Sequence, residues 1–206
     1  MLKDNVRGKV DALVEIPLQQ IWSDVERLDL SISQVADIRP LTGLRNLKLL
    51  NLSRTQVADL SPLAGLNKLE QLLLSRTQVA DIRPLAGLKN LKTLRLIRTQ
   101  VTDIAPLSGL ENMQILLLSS RVAVITPLAH LKNLKSLDLS HSRVNNITPL
   151  VGLQNLESLN LSHSRVTDIT PLAGSDNLKW LILSYSQDLD ISPLDGLVNL
   201  NISRTH

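Results

Sequence analysis

Leucine, isoleucine or valine returns at fixed places in a 22-residue unit along most of this chain. In residues 69–90 these places hold Leu69, Leu72, Leu74, Val79, Ile82, Leu85 and Leu88, which are unit positions 1, 4, 6, 11, 14, 17 and 20. Positions 4 to 6 alternate in, out and in with period two, which predicts a short strand. The Pro-Leu-x-x-Leu segment that follows has helical spacing but lasts about one turn. Proline suits the first place of such a turn, where its missing N–H would have found no partner. Ser61, Thr126, Thr148, Thr170 and Ser192 stand directly before the proline and are expected to cap the turn.

All nine prolines share one series, Pro17, Pro40, Pro62, Pro84, Pro106, Pro127, Pro149, Pro171 and Pro193, at spacings of 21 to 23 residues. Seven of the eight glycines follow a second series, and only Gly8 lies outside it. A period in this range means a solenoid, in which each unit buries its apolar edge only against its neighbours. The expected fold is an α/β right-handed coil. A parallel sheet lines its concave face, and short 3₁₀ or single-turn helices line its convex face.

The unit L-x-x-L-x-L-x-x-T-x-V-x-D-I-x-P-L-x-G-L-x-N resembles the 22-residue leucine-rich repeat of bacterial internalins and of a regulatory subunit of protein phosphatase 1. The resemblance covers residues 25–199, eight units of 21 or 22 residues, and implies a leucine-rich-repeat solenoid. Position 9, usually asparagine in that family, is Thr55, Thr77 and Thr99, then Ser142, Ser164 and Ser186. Their hydroxyls are expected to keep a polar ladder between neighbouring backbone groups. A separate asparagine column, Asn90, Asn112, Asn133, Asn155, Asn177 and Asn199, is expected to serve the turns.

Residues 1–24 read as an N-terminal cap holding a degenerate repeat, with Pro17-Leu18 copying the turn and Trp22 shielding the first rung. Residues 200–206 read as a truncated final strand without a polar cap, so self-association through that end is expected. The fifth unit is one residue short, replaces the usual aspartate by Val124 and puts His130 in the glycine slot. This reads as a local change of curvature rather than a site. Ser175, standing where a core leucine is usual, reads as a soft spot. The aspartates Asp37, Asp59, Asp81, Asp103, Asp168 and Asp190 form a column, read as Asx turns rather than calcium ligands. Position 2 mostly alternates Glu and Lys, which favours rung-to-rung ion pairs.

Composition narrows the chemistry. The chain has 46 leucines among 206 residues, no cysteine and no phenylalanine, so there is no disulfide framework, thiolate metal site or thiol nucleophile. No stretch approaches a membrane span. Met1-Leu2-Lys3-Asp4 lacks the apolar run of a secretory signal, which fits a cytoplasmic home or export without a cleavable signal peptide. No phosphate loop, His-Glu-x-x-His or Gly-x-Ser-x-Gly motif occurs, and neither cofactor nor catalytic activity is expected. His141 and His163 lie one repeat apart and Tyr185 continues their column, which favours a surface ladder over a metal site.

The informative positions point outward from the strands. Leu49, Leu73, Ile97, Ile115 and Leu117 place apolar groups on the concave face of units two to five, bordered by Arg54, Arg76, Arg95 and Arg98. Trp180, Ile182 and Tyr185 make a smaller patch towards the C-terminus. An apolar cluster edged by arginine is the anatomy of a protein interface. Residues 39–98 hold 11 basic against 3 acidic side chains, which favours an acidic protein partner. A nucleic acid is the competing ligand, disfavoured because these rungs carry no aromatic rings for base stacking. A further alternative is a recruiting arm of a larger multidomain enzyme or effector.

Overall fold

A computed structural model describes residues 24–118, 120–184 and 189–204, and residues 1–23 of the proposed N-terminal cap lie outside them. Nine three-residue strands form one parallel sheet in chain order: β1 Arg27–Asp29, β2 Leu49–Asn51, β3 Gln71–Leu73, β4 Thr93–Arg95, β5 Ile115–Leu117, β6 Ser136–Asp138, β7 Ser158–Asn160, β8 Trp180–Ile182 and β9 Asn201–Ser203. Register never slips. Leu28, Leu50, Leu72, Leu94, Leu116, Leu137, Leu159, Leu181 and Ile202 stand in one inward column. A one-residue shift would turn every leucine outward, so the apolar period pins the pairing.

The residues at unit positions 1, 4, 6, 11, 14, 17 and 20 fill a single core, most of them fully buried. Each return to the convex side passes through a 3₁₀ turn with proline at its start, as in Ser61–Leu63 and Thr148–Leu150. The first and fifth units have longer turns, Arg39–Gly43 and Thr126–His130. No helix among the described residues is long and apolar enough to cross a membrane.

Capping differs from the sequence expectation. Ser61, Thr126, Thr148, Thr170 and Ser192 lie inside their turns, and the residue before each is an isoleucine or leucine that makes no side-chain cap. The aspartate column does that work from two residues upstream. Asp59 Oδ1 accepts the Ser61 N–H at 2.8 Å, and Asp81, Asp103, Asp168 and Asp190 repeat the bond at 2.8 to 2.9 Å. An Asx turn reaches the free N–H better than a residue already committed to helical φ and ψ.

The hydroxyl column serves the backbone of its own rung, and the asparagine column serves the turns by crossing between rungs. Thr55, Thr77 and Thr99 are buried, and each hydroxyl donates to the carbonyl three residues back in its own rung at 2.7 to 2.8 Å. The rung-to-rung side-chain ladder belongs to asparagine. Asn90, Asn112, Asn133, Asn155 and Asn177 donate from Nδ2 to carbonyls of the preceding rung at 2.7 to 3.0 Å. A short hydroxyl stem does not span the gap between rungs, whereas the amide does. Ion pairs Glu26–Lys48, Glu70–Lys92 and Glu157–Lys179, at 2.7 to 2.9 Å, add register on the surface. Ser175 keeps its backbone hydrogen bonds to Leu172 and Leu178 despite lacking an apolar side chain.

Candidate binding face on the sheet

Where a strand ends in Asp or Asn, that side chain serves its own backbone. Asp29, Asn51, Asp138 and Asn160 each accept the N–H two residues on, at 2.8 to 3.0 Å. The same strand end is Leu73 in β3, Arg95 in β4, Leu117 in β5 and Ile182 in β8. None of these side chains can accept a hydrogen bond, so these rungs forgo a local one and show an apolar or cationic group instead.

Register decides which candidates meet. Leu73, Arg95 and Leu117 are successive partners in one row, and Ile115 shares the outward face of β5 with Leu117. Ile97 lies just past β4, where its carbonyl accepts the Arg76 N–H at 2.8 Å. Leu49 stands apart, paired with Arg27 and Gln71, neither of which is apolar. Leu49, Leu73, Ile97, Ile115, Leu117 and Ile182 are half-buried rather than open, because stacked neighbours shield their flanks. Trp180 is 57% exposed and shares β8 with Ile182, three strands from β5. Tyr185 lies outside the described residues.

The arginine row has an unexpected backbone. Arg54, Arg76 and Arg98 adopt φ of 60°, 61° and 57°, and their side chains are exposed. Left-handed residues turn the chain sharply off the sheet and leave the guanidinium groups along its rim. The N–H of Arg54 is held by Ser75 O at 2.8 Å, which ties this rim to the next rung. His141 and His163 continue it at φ of 57° and 55°, with rings stacked at 4.3 Å and 12°. The two rings form a stacked pair on neighbouring rungs, and no group of three or more metal-binding side chains occurs among the described residues.

Titration shifts trace to scaffold pairs. The Arg39 and Arg83 guanidinium groups, hydrogen-bonded to Asp37 and Asp81, hold those carboxyls below the usual range. The Thr170 hydroxyl does the same to Asp168, the Ser192 N–H to Asp190 and the Lys179 ammonium to Glu157. All five carboxylates lie off the outward sheet positions. Another column, Arg121, Arg143 and Arg165, lies beside the rim at unit position 10 and was not among the candidates. The 22-residue period alone would have revealed it.

A family model for leucine-rich repeats in two copies matches residues 67–110 and 132–174. Among solved structures, internalin C2 of Listeria monocytogenes is 36% identical over 88% of this chain and 81% of its own, with a TM-score of 0.82. The internalin InlF of the same organism is 31% identical over 91% of this chain and 58% of its own, with a TM-score of 0.84. A plant peptide hormone receptor in complex with RGF2 is 20% identical over 78% of this chain and 28% of its own. Its TM-score is 0.66, and the likeness is of fold alone. No curated protein matches the sequence significantly.

Proposed function

Because the chain belongs to the internalin-type leucine-rich-repeat family, whose members are generally protein-interaction modules, we propose that it is a non-catalytic recognition module holding an acidic protein partner on its concave face. The observation that carries this reading is the exchange at the strand ends. In β3, β4 and β5 a side chain that would have served the backbone is replaced by Leu73, Arg95 and Leu117, in consecutive rungs. Drift in a leucine-biased repeat would scatter such losses. Here they adjoin Ile97 and Ile115 and lie beside the rim of Arg54, Arg76 and Arg98. Aliphatic anchors within a rim of arginines suit a partner segment that offers apolar groups flanked by carboxylates. Trp180 and Ile182, with Tyr185, form a second anchor in this proposal. Pairing of two copies through the outer edge of β9 belongs to the same proposal, read by sedimentation across protein concentration.

The test begins with peptides selected by display on the wild-type chain. Selected peptides should be acidic with apolar anchors. They should lose about ten-fold in affinity or more on Arg54→Glu, Arg76→Glu and Arg98→Glu, with unchanged thermal melts, and weaken with salt. Peptides without acidic bias, indifferent to these substitutions and to salt, would remove the proposal. A gel shift with an oligonucleotide abolished by the same substitutions would move the reading to nucleic acid.

A further inference from the structure

A second basic surface lies off the sheet, on the flank where the chain runs from the strands towards the convex turns. Unit position 10 is Gln34, Gln56, Gln78 and Gln100 in the first four rungs, then Arg121, Arg143 and Arg165, all exposed. In the glutamine half neighbouring rungs can pair, as where Gln56 Nε2 donates to Gln34 Oε1 at 2.5 Å. Arg143 and Arg165 forgo that bond and place like charges on neighbouring rungs, which is unfavourable for the scaffold. The backbone ladder persists beneath them, with Arg143 N–H to Val122 O at 2.9 Å and Arg165 N–H to Val144 O at 3.0 Å. Among the described residues neither Arg143 nor Arg165 forms an ion pair.

The acidic column beside it changes in the same rungs. Position 13 is aspartate in units one to four, then Val124 and Asn146, with aspartate returning at Asp168. Asn146 keeps the turn, for its Oδ1 accepts the Thr148 N–H at 2.8 Å as an aspartate would. The turn geometry is therefore preserved while the charge is dropped. Val124 gives up the turn acceptor as well and is 65% exposed, in the same rung as Arg121. Positions 10 and 13 thus pass from one net negative charge per rung in units one to four to one net positive charge per rung in units five and six. Neither change improves packing. The irregular fifth unit, which the sequence reads as a change of curvature, sits at the start of this patch.

We propose that the flank formed by Arg121, Arg143, Arg165 and Val124 is a second docking surface, separate from the concave face, for an acidic α-helix of a partner protein. Spacing selects the helix. Adjacent rungs stand about 4.8 Å apart. Carboxylates at i and i+4 of a helix stand about 5–6 Å apart and can meet successive arginines. Over two rung steps alternate residues of an extended peptide, about 6.7 Å apart, overrun by about 3.8 Å, against about 2.4 Å for i to i+8 of a helix. Val124 separates the helix from a sulfated or phosphorylated polyanion, since an exposed valine among arginines gains only from an apolar neighbour on the ligand.

The probe is a capped helical peptide of about 20 residues with glutamates at i, i+4 and i+8 and leucines beside them, titrated by fluorescence anisotropy into the full chain. The control peptide has the same composition with its glutamates spread around the helix. The facing peptide should bind more tightly than the control. The double substitution Arg143→Glu with Arg165→Glu should weaken it about ten-fold or more, as should Val124→Asp, with unchanged melts. Arg76→Glu on the concave rim should leave this binding unchanged, which separates the result from the fate of the concave face. Equal binding of both peptides, binding weaker than about 1 mM, or indifference to Arg143→Glu with Arg165→Glu would overturn the proposal. Tighter, equally arginine-dependent binding of a heparin hexasaccharide or an oligothymidylate would replace the helix by a polyanion.

Discussion

Ile32 sits where no β-branched residue is comfortable, so its replacement should stabilise the protein. It occupies the first place of the left-handed row, at φ of 56°, and its side chain is 74% exposed. The later residues of that row are unbranched at Cβ: Arg54, Arg76, Arg98, His141 and His163. An L-residue at this φ crowds its Cβ against the following carbonyl at a cost of about 1–2 kcal/mol, and branching at Cβ worsens it. Asparagine tolerates the left-handed region far better. Little burial is lost on replacement, and the Ile32 N–H bond to Ser53 O at 2.9 Å is a backbone bond that any non-proline residue keeps. Ile32→Asn should therefore stabilise by about 1 kcal/mol. Ile32→Val keeps the branch and should change stability by less than about 0.5 kcal/mol. Ile32→Gly should fall between, because the freedom it adds to the unfolded chain offsets about 0.5–1 kcal/mol of relief. Urea melts followed by circular dichroism read the order, with the Asn midpoint raised by about 0.3 M at a slope near 3 kcal/mol/M. Amide exchange at Leu30 and Leu52 should slow in parallel if the first rungs fray separately. Equal midpoints for Asn and Val, or a lower one for Asn, would refute the strain argument.

Two further expectations concern the scaffold. Leu94→Ala, fully buried on the inward face of β4, should cost about 2–5 kcal/mol, while Leu73→Ala, half-buried on the outward face of β3, should cost about 1 kcal/mol. Equal losses in urea melts would mean that the strand phase is reversed. Asp37, Asp81, Asp168, Asp190 and Glu157 all have carboxyls held below their ordinary values, so the unfolded chain takes up protons first as pH falls. Their contribution is complete above about pH 5 and is lost from about pH 4 downward, through the depressed folded values. The melting temperature should follow that course, less steeply in Asp81→Asn with Asp168→Asn and at high salt; a flat profile from pH 5 to 2.5 would contradict it.

The period of the sequence by itself determined the architecture. Seven apolar places in 22 residues leave one way to bury leucines, and a side-chain period of two locks the register of every strand once one pair is set. Proline marks the convex turns, and Glu and Lys in alternate rungs announce their own ion pairs. The outward positions of the sheet were legible for the same reason, since residues that do not face in must face out. What each outward or polar residue touches was decided only by stacking. Thr55 and Asn90 are both short polar side chains in regular columns, yet the distance between rungs lets the amide cross and turns the hydroxyl back on its own strand. The left-handed backbone at Arg76 follows from a sharp exit off the sheet that arginine does not announce. The half-burial of Leu117, between Arg95 and Asp138, follows from neighbours contributed 22 residues before and 21 after. Local sequence specifies which face a residue takes, because that is a property of one strand. The hydrogen bonds and company it keeps there belong to the stack, because they form between residues that only the coil brings together.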